Sequence, residues 1–327
     1  MNKKALIFGI SGQDGAFLSE LLINKGYEVH GTSRDAEMKN FSSIIELGIK
    51  EEIKFHSVAL SDFRSTLKVI EKVAPNEIYN LAGQSSVGLS FEQPVETLES
   101  IVNPTINILE SMRFLGDSFR FYNAGSSESF GDTGKLPANE LTPFRPRSPY
   151  GVAKASAFWQ VLNYRESYGL FAATGIMFNH ESNFRPPRFV TRKIVQSAAR
   201  IALGSREKLV LGDLSIKRDW GWAPEYVEAM WRMLQIENPE DYVIATGQIS
   251  ELNEFVEKVF SALDLDWKEY VISSKKLYRP SEIKFGFGCP KKAKNKLNWS
   301  AKKLMPDVAS LMALNEFAIY KKNNWES

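Results

Sequence analysis

Two rhythms of apolar and polar residues alternate along the first half of this chain. Residues 4–9, Lys-Ala-Leu-Ile-Phe-Gly, form a short continuous apolar run, and residues 16–24 place their apolar positions at helical spacing. The first reads as a strand buried on both faces, the second as an amphipathic helix. Strand-like runs follow at 27–32, 53–56, 77–81, 119–122 and 170–178, with helical patterns at 62–73, 94–114 and 148–169. This βαβα order predicts a doubly wound parallel sheet of Rossmann type, covered by helices on both faces. Beyond residue 178 the strict alternation is lost. Helical patterns at 189–203, 224–235, 252–263 and 304–321 are separated by short β-like pieces at 209–211 and 242–245. They predict a smaller mixed α/β C-terminal domain over 179–327, interleaved with late strands of the sheet built by 1–178, with 179–194 as a loop facing a substrate.

Gly9, Gly12 and Gly15 stand between the first strand and the first helix as G-x-x-G-x-x-G. Glycine allows a tight turn and close approach of backbone to a pyrophosphate, whose charge a helix N-terminus stabilises. The turn also carries Gln13 and Asp14, and Leu81 and Ala82 end another strand at the same edge of the expected sheet. These residues are candidates for holding a dinucleotide. After the second strand, Ser33-Arg34 offers a hydroxyl and a guanidinium fork where an acid would mark NAD, so NADP is expected. Asp35 would repel a 2′-phosphate if it points inward, and an exposed arginine without a ligand role is the competing reading of Arg34.

Ser126 and Glu128 follow the strand at 119–122, and Tyr150 and Lys154 lie at Y-x-x-x-K spacing on the helix opened by Ser148-Pro149. Four residues apart on a helix, Tyr150 and Lys154 share one face. An ammonium there is expected to favour the phenolate and lower the phenol below its ordinary ~10, suiting a base that takes a hydroxyl proton as hydride leaves the same carbon. An ordinary surface pair is the alternative.

Composition limits the remaining choices. Across 327 residues, 41 basic and 39 acidic side chains leave a net charge of +2, with the basic residues scattered, which argues against a nucleic-acid surface. The lone cysteine, Cys289, cannot form an internal disulfide and fits a reducing, cytoplasmic setting. No stretch reaches the length of a membrane span, and no metal centre is expected.

Several segments together carry a family resemblance over nearly the whole chain: GISGQDGAFLSELLINKGYEVHG, EIYNLAGQSSVGLSFEQP, RSPYGVAKASAFWQVLNYRESYG, FNHES, FVTRKI, RDWG, YVIATG and RPSEIKFGFGCPKKAKNKLNW. The chain resembles the GDP-mannose 4,6-dehydratases, NADP-dependent members of the extended short-chain dehydrogenase/reductase superfamily. The resemblance implies oxidation of the sugar at C4, loss of water across C5 and C6, and hydride return to C6, a step in deoxysugar biosynthesis. Tyr150 would take the C4 hydroxyl proton, with Lys154 on the nicotinamide ribose. Ser126, where relatives usually have Thr, would bond the C4 oxygen, and Glu128 would act as acid and base at C5 and C6. Ser85 and Asn179 would meet the hexose and phosphate region, Lys193 the guanine end, Arg218 and Arg279 the diphosphate, and Glu282 the ribose hydroxyls. For Arg218 an ordinary pair with Asp219 is the competing reading.

The resemblance further implies a homodimer formed through the helices at 94–114 and 148–169. A tetramer is in doubt, because 35–43 lacks the segment that reaches a neighbouring subunit in relatives. Ala59 departs from a common Asp near the adenine, and Ser129-Phe130 depart near the catalytic turn. Two other readings stay open: a dehydratase, 4-keto reductase or epimerase acting on another nucleotide sugar such as a GDP-heptose, and a non-catalytic NADP-binding regulator.

Overall fold

The computed structural model describes residues 2–116, 119–278 and 280–322. Seven parallel strands form the main sheet, and we number only these. They are β1 (Lys4–Phe8), β2 (Glu28–Ser33), β3 (Ile53–Ser57), β4 (Glu77–Asn80), β5 (Arg120–Ala124), β6 (Phe171–Met177) and β7 (Tyr242–Ile244), in the spatial order β7-β6-β5-β4-β1-β2-β3. The order reverses between β1 and β4, the switch point at which a doubly wound sheet opens a crevice. Ala5 to Phe8 are fully buried, as expected for a strand that has helices on both faces and no solvent side.

The local signals place the helices. Asp62 accepts from the Ser65 N–H at 2.9 Å and starts the helix Phe63–Val73, and Ser148 accepts from the Gly151 N–H at 3.0 Å and starts Pro149–Tyr168. Side-chain oxygens at the N-cap replace the bonds that first-turn amides lack. Gly116 and Gly169 end the helices Pro94–Leu115 and Pro149–Tyr168 in left-handed conformation. The helix Gln13–Asn24 buries Ala16, Leu18, Ser19 and Leu22, and truncating Leu22 to Ala there would cost about 2–5 kcal/mol.

The later half gathers a second core around Trp220, Phe255 and Phe260, packed between the helices Val190–Ala202, Leu252–Ser261 and Met305–Lys322. Small sheets lie within this later part. Lys217–Arg218 lies between Ser250–Glu251 and Phe285–Gly286, while Leu209–Leu211 pairs with Val271–Ser273. β7 returns to the main sheet beside β6. The segment expected as a loop over 179–194 is only partly one. Asn179–Glu181 is a strand paired with Trp220–Trp222, and the helix has already begun at Val190. Three residues are too short to show an alternation, and this strand forms only because its partner lies alongside. Among the described residues, no helix is long and apolar enough to cross a membrane.

Candidate active site

Because every strand of the main sheet is parallel, residues that follow strands share one edge. Gly9 follows β1, Ser33 ends β2, Leu81 and Ala82 follow β4, Ser126 and Glu128 follow β5, and Asn179 follows β6 by two residues. The topology alone thus brings these segments, scattered along the sequence, to one side of the molecule.

The glycine turn is a cradle fixed by sterics. Gly9 has φ +85°, and a Cβ there would lie 2.7 Å from the Ala82 nitrogen; a Cβ on Gly15 would meet the Gly9 oxygen at 2.6 Å. Gly12 is roomier, with 3.4 Å to the Gly9 oxygen, and it occupies the N-cap of Gln13–Asn24 with no side chain capping the helix. Gln13 is buried and Asp14 partly so, and together they knit the turn to the segment after β6. Gln13 Nε2 donates to the His180 carbonyl at 3.1 Å, and the Ser182 hydroxyl donates to Gln13 Oε1 at 2.7 Å. His180 Nε2 lies 2.9 Å from Asp14 Oδ2 and Nδ1 lies 2.7 Å from the Phe178 carbonyl, so both ring nitrogens face acceptors. Burial disfavours the charged His180, but the Asp14 charge and hydrogen bond prevail and raise its pKa. Burial likewise pushes Asp14 up, and His180 and Gln13 more than offset it, leaving the carboxyl below its usual range.

At the adenosine end, Arg34 is exposed, and none of the described residues pairs with it. Ala59 is exposed, its amide bonded to the Ser65 hydroxyl at 3.1 Å.

Ser126 opens the short 3-10 turn Ser127–Ser129 and accepts from the Glu128 amide at 3.3 Å. Tyr150 stands at the start of Pro149–Tyr168, and Gly151 lets that helix touch the turn, since a Cβ there would be 2.7 Å from the Glu128 carbonyl oxygen. Tyr150 and Lys154 are both 9% exposed, which removes the surface-pair reading. Lys154 Nζ donates to the Ala124 carbonyl at 2.7 Å and lies 5.8 Å from the Tyr150 ring centre.

The expected pKa relation between them is corrected. Burial pushes the Tyr150 phenol up to about 12, opposed by its hydrogen bond to Ser126 and by the Arg185 charge, and reinforced by Glu128 and Asp14. Burial also lowers Lys154 to about 8, with Asp14 opposing. Spacing on a helix brings the cation to 5.8 Å from the ring, yet it is the removal of the phenol from water that sets its titration.

The residues assigned to a nucleotide sugar are spread around this centre. Ser85 is exposed on the loop after β4, and Asn179 is half-buried. Lys193 is exposed on the helix Val190–Ala202, its Nζ bonded to the Val210 carbonyl at 2.7 Å. Arg218 is buried, and its Nη2 lies 3.2 Å from Glu282 Oε1. The Asp219 carboxylate takes the Thr246 amide and hydroxyl and the Gly247 amide at 2.7–2.9 Å. Arg279 lies outside the described residues. The segment carrying Glu282 is tied to the loop before Tyr150: Thr133 and Ala138 amides donate to Phe285 and Phe287 carbonyls, and Arg147 Nε donates to the Ser281 hydroxyl at 3.2 Å.

Sequence reasoning missed two charged residues here, His180 and Arg185. Arg185 contacts Glu181 at 3.2 Å and lies 3.8 Å over the Phe189 ring, and its charge reaches Tyr150, Asp14 and His180. The available signal was polarity inside FNHES, where His180, Glu181 and Ser182 are all buried.

A glycine cradle after β1, together with a buried Tyr-Lys pair beside the end of β5, defines an extended short-chain dehydrogenase/reductase. Solved structures share this architecture. The dTDP-glucose 4,6-dehydratase of Bacillus anthracis in complex with NAD superposes with a TM-score of 0.84 at 20% identity, covering 99% of this chain and 98% of that one. RMD from Pseudomonas aeruginosa complexed with NADPH superposes with a TM-score of 0.80 at 20% identity, covering 97% and 100%. The profile of the family described as GDP-mannose 4,6 dehydratase matches residues 6–312. GDP-mannose 4,6 dehydratase 2 of Arabidopsis thaliana is 43% identical over 98% of this chain and 88% of its own length. The chain belongs to the GDP-mannose 4,6-dehydratase family.

Proposed function

We propose that this chain is a GDP-mannose 4,6-dehydratase that converts GDP-mannose to GDP-4-keto-6-deoxymannose with NADP as its resident cofactor. The observation that carries the reading is the meeting of Ser126, Glu128, Tyr150 and Lys154 at one sheet edge next to the glycine cradle. Family membership, with 43% identity to a dehydratase of this specificity, supports the substrate. The two structural neighbours hold NAD and NADPH respectively, so the fold leaves the choice of dinucleotide open, and the exposed Arg34 at the end of β2 favours NADP.

The residues fit a dinucleotide: without a Cβ, Gly9 and Gly15 let the turn pack against Leu81–Ala82 and its own backbone, Gly12 keeps its outer side open, and the helix N-terminus there has no side-chain cap. Ser33 and Arg34 would hold the adenosine phosphate, Gln13 and Asp14 shape the turn, Leu81 and Ala82 line the strand edge, and Lys154 would hold the nicotinamide ribose. When bound, the nicotinamide supplies a hydride acceptor and, in its oxidised form, a positive charge. With its phenolate favoured by that positive charge and by Lys154, Tyr150 would remove the C4 hydroxyl proton as hydride leaves C4, with Ser126 bonding the same oxygen. The new C4 ketone acidifies C5. Glu128 takes the C5 proton and passes a proton to the leaving C6 hydroxyl, a task a tyrosine poised at C4 cannot reach.

On this reading 1–178 mainly binds NADP and 179–327 mainly binds the nucleotide sugar. Ser85 and Asn179 face the hexose and phosphates, Lys193 the guanine, Arg218 and Arg279 the diphosphate, and Glu282 the ribose. The Arg218–Glu282 contact keeps a diphosphate donor and a ribose acceptor adjacent, supporting that order. A cytoplasmic homodimer completes the reading. Val95, Leu98, Val152 and Trp159 expose apolar surface on the two neighbouring helices expected to pair. Incubation with GDP-mannose and NADP tests the function: a 4-keto-6-deoxy product is expected. A C4-reduced or epimerised sugar, or turnover of a GDP-heptose alone, would replace the assignment.

A further inference from the structure

Asp35 follows Arg34 directly and brings a negative charge to the place where a 2′-phosphate would be held. Its side chain is already committed. Oδ1 accepts from the backbone N–H of Glu37 at 3.1 Å and of Met38 at 3.0 Å. The same short segment is pinned twice to the neighbouring chain: the Val58 amide donates to the Ser33 carbonyl at 2.8 Å, and the Ala36 amide donates to the Ser57 hydroxyl at 3.0 Å. Arg34 projects between these ties, exposed and unpaired among the described residues.

We propose that Asp35 is a positioning residue for cofactor discrimination, holding the turn that presents Arg34 while directing its own charge onto the amides of Glu37 and Met38. The proposal rests on the reading of the cofactor as NADP. A long side chain loses less freedom on binding when its backbone is already fixed, so a closed turn favours the phosphate contact. A carboxylate whose oxygen accepts two N–H groups faces its own loop, and such Asx turns are made equally well by Asn. The holding function and the charge can therefore be separated by substitution.

The test measures dissociation constants of NADP+ and NAD+ for the full chain, for Asp35→Ala and for Asp35→Asn, with Arg34→Ala as the reference and thermal unfolding as a check of folding. The parent is expected to prefer NADP+. Asp35→Ala should reduce that preference roughly fivefold to tenfold, through weaker NADP+ binding, while Asp35→Asn stays within about twofold of the parent. An Ala variant that keeps the parental preference, or that weakens both dinucleotides equally, overturns the inference and leaves the NADP reading intact. An Asn variant that gains more than about twofold in NADP+ affinity overturns it too, because the charge would then face the phosphate. A parent without preference for NADP+ removes both the reading and the inference.

Discussion

Asp14 Oδ2 and His180 Nε2 meet at 2.9 Å, and this contact joins the glycine turn to the chain leaving β6. It links the part of the sheet edge suited to a dinucleotide with the strand that begins at Asn179. Since Asp14 belongs to the first turn of a helix, the His180 charge offsets a carboxylate that would otherwise oppose an anion there. Replacing His180 by Ala should therefore weaken both the fold and cofactor binding. A stability loss of about 1–3 kcal/mol is expected, below the full value for a buried pair because Asp14 keeps partial access to water. Chemical denaturation and nucleotide titration check the two effects. Parental stability with parental affinity would show that the contact carries neither.

The three glycines should respond unequally. Gly9→Ala forces an alanine to φ +85° against the Leu81–Ala82 backbone, and Gly15→Ala drives a Cβ to 2.6 Å from the Gly9 oxygen. Each should cost about 1–3 kcal/mol or more. Gly12→Ala meets only one atom, at 3.4 Å, and should fold nearly normally. Its effect should fall on dinucleotide affinity. Thermal unfolding of the three variants, followed by nucleotide titration of Gly12→Ala, reads the order.

Tyr150→Phe and Glu128→Gln should stop the reaction at different points. Removing the phenol oxygen takes away the C4 proton acceptor, and the rate of cofactor reduction should fall by about 100-fold to 10,000-fold. Glu128→Gln keeps shape while removing the C5 acceptor. Oxidation then proceeds and elimination stalls, so the variant should accumulate reduced cofactor and a 4-keto hexose that retains its C6 hydroxyl. Rapid-mixing absorbance and mass spectrometry of the sugar distinguish the two. Undiminished dehydration by Glu128→Gln would return Glu128 to the status of a loop carboxylate.

Acid sensitivity should centre on the two histidines of β2 and β3. His30 Nε2 lies 2.8 Å from Glu28 Oε1 and His30 Nδ1 lies 2.8 Å from His56 Nε2, an arrangement in which one of the facing nitrogens must accept. Burial lowers both pKa values. Glu28 opposes the shift at His30, and Lys54 and Lys4 add to it; at His56 the charges of His30, Lys72 and Lys54 add to it. Unfolded histidine takes up its proton near ~6.5, so below that pH the unfolded chain binds more protons and stability falls. His180 acts in the opposite sense: its contribution is complete below ~6.5 and is lost as pH rises through its raised pKa. Comparing the parent with His56→Gln isolates the pair. Urea unfolding at about pH 7.5 and about pH 5.5 should show a smaller acid loss in the variant, and an equal loss would place the sensitivity elsewhere.

Much of this molecule was determined by sequence alone, for local reasons. β1, the helix after the glycine turn, the helical pattern at 62–73, Ser148 as an N-cap, and the helix carrying Tyr150 follow from periodicity and caps that act within a few residues. Parallel order followed too, since alternating strands and helices admit few other sheets, and with it the common edge that gathers Gly9, Leu81, Ser126 and Asn179. The two-residue strands Lys217–Arg218 and Phe285–Gly286 could not be read, because so short a strand exists only when its partner arrives from far along the chain. Nor could the upward shift of the Tyr150 phenol, which comes from exclusion of water by the surrounding fold. The same applies to Arg218, whose neighbour in sequence is Asp219 but whose partner in space is Glu282. Local order fixes which groups are available, and only the packing of distant segments decides which of them meet and how much water remains between them.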